Sequence, residues 1–288
     1  MPTCLCSGLG FTEGLRWHRG RLWFSDFITH KVHAVDERGT LDTMAFVAGT
    51  PSGLGFLPDG TPLIVSMLDR RIVKLRDDEL SNHADLRAFN TPPCNDMFVD
   101  ARGHAYVGTF SYEFWYEAAP PVSSGVLLHI APDGRAAVAA GDLRMPNGIA
   151  LLPDNRTLVV AETHAQRLTA FTVSADGSLS NRRLYADLRA DDIHPDGLCC
   201  DADGNIWVAG LYAGVFVQLN PQGRIQRIIE VPGRWAVSCA LGDAMGDAPG
   251  DDLGGATGAR LFCSVVTVQQ PNDLKTGRAT AAIEFVDL

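Results

Sequence analysis

Nowhere in the 288-residue chain do five or six basic residues cluster, and its net charge is -10. Nucleic acid and anionic membranes need a cationic patch, so both are argued against as partners. No apolar run approaches the roughly 18 residues of a membrane-spanning helix. The opening residues, Met1-Pro2-Thr3-Cys4-Leu5-Cys6-Ser7, lack the charged and apolar regions of a secretory signal. Cys-x-x-Cys pairs are missing, which removes the usual thiolate zinc motif. The seven cysteines are odd in number, and Cys199 and Cys200 are adjacent on one strand-like segment, where small buried thiols fit. They read as reduced thiols, and the expected location is cytoplasmic. Ser52 and Ser238 lack a Gly-x-Ser-x-Gly elbow, so neither is favoured as a nucleophile. Helical periodicity is scarce, and residues 81–88 read as a loop or short turn.

What the chain has is repetition. His194-Pro195-Asp196-Gly197-Leu198-Cys199-Cys200 leads into a turn at Asp203-Gly204 and a second strand, Ile206-Trp207-Val208-Ala209. Variants begin at Glu13, Ser52, Asn95, Asn147 and Ser238, about 40 to 50 residues apart, a period typical of propellers and solenoids. Most hairpins are followed by another β pair, such as Lys31-Val32-His33-Ala34-Val35. Four short strands per unit make a propeller blade. The expectation is therefore all-β: one six-bladed β-propeller domain over residues 1–288, with four-stranded antiparallel blades. Thr3 to Leu5 and Ala281 to Val286 are both strand-like and would share the terminal blade, closing the ring. Trp23 and Trp207 occupy equivalent second-strand slots and read as packing within blades.

Loops that lead into successive blades open at one end of the channel. Glu13, Ser52, Asn95, Asn147, Asp196 and Ser238 would then converge there. Their hard oxygens suit Ca²⁺, Mg²⁺ or Mn²⁺ better than a soft metal. Each Asx before Gly would also serve as a turn residue, whereas Glu13 is not a favoured turn residue. Two stretches depart from the repeat. The segment 242–258 is rich in Gly and Asp and reads as an exposed hairpin tip. The segment 109–124 carries Phe110, Tyr112, Phe114, Trp115 and Tyr116, and could cover the central opening. His194, next to Pro195, reads as structural or exposed in preference to a proton carrier.

Four motifs together resemble a known family. They are Glu13-Gly14-Leu15, Asn95-Asp96, Pro146-Asn147-Gly148-Ile149-Ala150, and Pro195-Asp196-Gly197 followed by Ile206-Trp207-Val208-Ala209. The chain is similar, over nearly its whole length, to the senescence marker protein 30/gluconolactonase/luciferin-regenerating enzyme family. That resemblance implies a six-bladed propeller with one divalent ion at the channel mouth, Ca²⁺ first, with Mg²⁺, Mn²⁺ or Zn²⁺ as alternatives. It implies Glu13, Asn147 and Asp196 as metal ligands, Asn95 as a substrate-binding residue and a substrate-contacting acid near Glu113. The implied activity is metal-dependent opening of a lactone or small ester, with Asp196 also taking a proton from water. A non-enzymatic propeller that binds a metal or small ligand is the alternative, and a scaffold without a site is a third. Sugar-lactonase members carry Arg two residues before the substrate Asn, where this chain has Pro93. With five aromatics in the 110–116 loop, this favours a substrate with few hydroxyls, such as an aliphatic or aromatic lactone.

Overall fold

The computed structural model describes residues 2–112, 124–243, 260–270 and 273–288. It contains six four-stranded antiparallel sheets, arranged as the blades of a propeller. Blades 1 to 5 each run outward in chain order, from inner strands Thr12–His18, Pro51–Phe56, Cys94–Val99, Pro146–Leu151 and Pro195–Cys200. Blade 6 is shared by the two ends of the chain. Its inner strand is Trp235–Gly242, followed outward by Arg260–Thr267, Thr280–Asp287 and Thr3–Leu9. Thr3 pairs with Phe285 and Leu9 with Ala281, as the strand-like ends suggested. The chain then passes to blade 1 under the buried carboxylate of Asp26, which accepts from Gly10 N–H at 2.8 Å and Phe11 N–H at 3.1 Å. Consecutive inner strands touch all the way round, the first also meeting the sixth.

Several hairpin turns at the end away from Glu13 follow one local rule. In Asp201–Asn205, Asp201 Oδ1 accepts from the N–H groups of Asp203 and Asn205, at 3.0 and 2.8 Å, and Gly204 takes φ 81°. Asp100 does the same for Arg102 and His104. The dipeptide Asp203-Gly204 thus supplies the turn's left-handed step, while the aspartate two residues earlier holds it together. Residues 81–85 belong to the outer strand Glu79–Asp85, and a 3₁₀ turn at Arg87–Phe89 follows, so the sequence reading of a loop there was too short on strand. Its polar outer-edge pattern hid the strand, because neither face is fully buried.

The apolar core lies in the seams between blades. One cluster joins Leu63, Val65 and Ile72 to Met97, Val107 and Leu128, and another joins Trp207 and Phe216 to Leu261 and Val265. Trp207 has no exposed surface, and Trp23 meets Phe56 of the next blade edge-on with ring centroids 5.4 Å apart. Fully burying such a side chain is worth about 1.5 to 3 kcal/mol. Each blade is therefore held mainly by its neighbours, and the channel ends are left to polar residues. Among the described residues, no helix is long and apolar enough to cross a membrane.

Candidate active site

Every inner strand carries a β-bulge near its start: between Glu13 and Arg16, Pro51 and Leu54, Cys94 and Met97, Pro146 and Ile149, Pro195 and Leu198, and Ala236 and Ser238. A bulge adds one residue and re-aims its side chain. Here it allows consecutive inner strands to press together. A Cβ on Gly53 would stand 2.2 Å from Met97 N, and one on Gly148 would stand 2.5 Å from Asp196 O. Glycine fills this second slot in four blades, at positions 14, 53, 148 and 197. By the packing of Gly197 against it, Ser238 also sits in the second slot, so the leading position of blade 6 is the apolar Val237. The degraded repeat there had concealed a shift of one residue. Ser238 Oγ accepts from Leu15 N–H at 3.3 Å and has a structural task.

Glu13, Ser52, Asn95, Asn147 and Asp196 all stand at the same end of the channel and are all buried. Burial drives the Asp196 carboxyl well above its usual range, and the charges of Glu13 and then Asp96 push it further. Glu13 is pushed up to about 8, first by burial; the nearby Ser52 hydroxyl eases this a little and Asp96 adds to it. The Ser52 hydroxyl is close without good hydrogen-bond geometry, since Glu13 Oε1 and Ser52 Oγ are both buried without a partner. The amides are pinned by their nitrogens. Asn147 Nδ2 donates to Thr163 Oγ1 at 3.3 Å, and Asn95 Nδ2 donates to Pro146 O at 3.3 Å. Both Oδ1 atoms are left to accept. Thr163 Oγ1 in turn donates to Pro195 O at 2.8 Å, coupling Asn147 to the residue before Asp196.

This donor set fits a hard divalent cation. Two carboxylates share a buried site, one oxygen is orphaned, and no basic side chain among the described residues pairs with either. Buried charge of this kind needs a counter-charge or protons. Among the described residues no three His, Cys, Asp or Glu side chains cluster closely enough to hold a metal by themselves, so amide oxygens would have to complete the shell. The third carboxylate is already engaged. Asp96 accepts from Arg16 Nη2 at 3.1 Å and from its neighbour's Met97 N–H at 2.8 Å. The Arg16 guanidinium also donates to Met97 O and Leu15 O, bridging blade 1 to blade 3 beneath the site.

A family model described as SMP-30/Gluconolactonase/LRE-like region matches residues 11–248. The chain belongs to this family. Regucalcin of Danio rerio is 29% identical over 150 residues, covering 51% of this chain and 50% of that protein. A 6-deoxy-6-sulfogluconolactonase of Pseudomonas putida is 31% identical over 149 residues, covering 51% and 49%. The matched part thus spans about half the length of these relatives. The solved structure of a calcium-binding protein, regucalcin, from Agrobacterium tumefaciens is alike in fold, with TM-score 0.78 and 21% identity over 100% of this chain and 95% of its own.

Of the residues that the family resemblance singles out, Glu13, Asn95, Asn147 and Asp196 lie at one channel end, while Glu113 lies outside the described residues, as do Phe114, Trp115 and Tyr116 of the aromatic loop and most of the Gly/Asp-rich segment. From the sequence, Arg16 and Thr163 had no assigned role, and Asp96 was named only as part of the Asn95-Asp96 motif. Asp96 was detectable in principle, as the one charged residue in a slot otherwise filled by glycine or serine. His194 Nδ1 donates to Thr163 O at 3.1 Å, and its ring meets Tyr212 edge-on at 5.2 Å. It is thereby tied to the turn that carries Thr163.

Proposed function

We propose that this chain is a divalent-cation-dependent hydrolase that opens lactones or small esters, with Glu13, Asn147 and Asp196 as cation ligands and Ca²⁺ as the first candidate ion. The observation that carries this reading is the buried pair Glu13 and Asp196, mutually repelling and without a basic partner among the described residues. When bound, the cation supplies electrostatic stabilisation for the negative charge that develops on the carbonyl oxygen. Asp196 takes a proton from the attacking water and returns it to the leaving ring oxygen. The new carbon–oxygen bond comes from water, the ring carbon–oxygen bond breaks, and the product is a hydroxy acid. Asn95 orients the substrate through Oδ1, its amide nitrogen being held by Pro146 O. Glu113 is proposed as a further substrate contact.

Two relatives support the reading by name: the Pseudomonas enzyme is a lactonase and the Agrobacterium protein is described as calcium-binding. The second description also favours a second reading, a propeller that binds a cation without turnover. Metal analysis of the native protein, followed by a hydrolysis screen of sugar lactones, aliphatic lactones and aryl esters, tests both. The expected result is one divalent ion per chain and turnover that stops with chelator and returns with Ca²⁺. A bound ion with no hydrolysis of any lactone or ester would favour the binding reading, and no affinity for any divalent ion would end both.

A further inference from the structure

Arg144 stands between the outer strand of blade 3, Ala136–Leu143, and the inner strand of blade 4, Pro146–Leu151, three residues before Asn147. Its backbone is fully used: the N–H donates to Glu162 Oε2 at 2.8 Å and the carbonyl accepts from His164 N–H at 3.2 Å. Its side chain is half-buried, and Nε is buried without a hydrogen-bond partner among the described residues. A buried donor left without an acceptor costs free energy, so a half-buried guanidinium in this state is suited to take an anion.

The surroundings of Arg144 point towards the channel mouth. His164 lies in the 3₁₀ turn Thr163–Ala165, the same turn that holds Asn147 through Thr163 Oγ1 and His194 through Thr163 O. His164 is within electrostatic reach of both Arg144 and His194, so three basic side chains gather here, and the acids beside them already have partners: Glu162 has Arg167 and Arg182, and Asp192 has Gln166 and lies 3.9 Å from His194. Aromatic rings flank it. Tyr112 stacks on His164 with centroids 6.3 Å apart, and Tyr212 lies edge-on to both His194 and Trp235 at 5.2 and 5.1 Å. Tyr212 is 52% exposed, yet its hydroxyl is within electrostatic reach of Asp196 and of Tyr112. Two tyrosines thus face the mouth from blades 3 and 5, with an arginine between them in chain order.

We propose that Arg144 is a specificity-determining residue that recognises a carboxylate on the substrate, so that the preferred lactone is an anionic one whose ring lies against Tyr112 and Tyr212. A guanidinium fork matches a carboxylate in two parallel hydrogen bonds, and a flat ring suits the tyrosine faces. The basic quarter of the rim would hold the carboxylate away from Glu13 and Asp196, leaving the lactone carbonyl over the acidic centre. This rests on the lactone-opening reading above.

The test compares the calcium-loaded wild type with Arg144→Gln and Arg144→Lys on a γ-lactone and on the same lactone bearing a ring carboxylate. Wild type should favour the carboxylated lactone by at least about tenfold in kcat/KM. Arg144→Gln should raise KM for that substrate at least about tenfold, bringing the ratio between the two substrates close to one, and Arg144→Lys should recover part of it. Equal losses on both substrates, or no preference in the wild type, would overturn the proposal. Calorimetric titration with the ring-opened hydroxy dicarboxylate gives a second readout. If neither lactone is opened, the lactonase reading fails, and the titration alone decides the arginine: binding weakened about tenfold in Arg144→Gln supports anion recognition, and equal or absent binding removes it.

Discussion

The Arg16–Asp96 pair shows what a single residue does to the balance of charge at the channel mouth. Removing Arg16 leaves Asp96, which is 4% exposed, beside Glu13 and Asp196 without its counter-charge. Arg16→Met should therefore lower stability by up to about 3 kcal/mol, the low end for breaking a buried pair because Arg16 keeps some solvent contact. The double variant Arg16→Met with Asp96→Asn should recover much of that loss in denaturant titration, which a packing role for Arg16 alone would not allow. Asp196→Asn keeps an oxygen but loses a charge and a base, so kcat should fall by orders of magnitude while circular dichroism is unchanged. Near-normal activity would remove Asp196 from the mechanism. Glu162 tests the pH response. Burial works against its charged form, but hydrogen bonds from Arg167, Thr169 and the Arg144 N–H outweigh it and hold its carboxyl below the ordinary 4.5. A depressed carboxyl stabilises the fold above its ordinary value and loses that contribution as pH falls through the folded one. The wild type should accordingly weaken below pH 4.5, and Glu162→Gln should show a flatter acid limb in thermal melts. That Glu13, Ser52, Asn95, Asn147 and Asp196 share one slot was legible from the repeat, while the choice of ligands among them came from the family resemblance; Arg16 and Arg144 were not legible, because their meaning depends on a partner 80 residues away or on the lack of one for Nε among the described residues.

At the scale of elements, hairpins were easier to read than the bulges that aim their first residues. Alternation and Asp-Gly turns are local signals, whereas a bulge is a property of two strands in register. Blade 6 illustrates the cost: without the pairing of Ser238 with Ser264, its leading position was placed one residue late. The glycines of the second slot convert this register into a steric demand. Gly53→Ala puts a methyl 2.2 Å from Met97 N, where backbone must move. We expect a loss of at least about 2 kcal/mol, as for overpacking against an unyielding neighbour. Gly141→Ala is the matched control, since nothing lies within 4 Å of a Cβ there, and it should stay within about 0.5 kcal/mol. Equal effects of the two in chemical denaturation would mean that blade contact at the second slot does not limit stability.

For the whole molecule, six similar seams make a ring whose stability depends on closing it, and an ion held at the acidic mouth would add a second, removable source. If a divalent ion binds there, its presence at 100 times Kd should add about 2.7 kcal/mol, seen as a rise in Tm that chelator reverses. The ring itself was legible from the 40 to 50 residue period, but the ion's identity was not, since oxygen donors serve several hard cations alike. Closure is achieved by hydrogen bonds between the first and last strands, Thr3 opposite Phe285 and Cys4 opposite Glu284, and not by a covalent join. Chain order is therefore arbitrary with respect to architecture. A circular permutant that links the two ends by a short flexible peptide and opens the exposed turn at Asp154-Asn155 should fold to the same propeller, with its blades renumbered but Glu13, Asn147 and Asp196 unmoved.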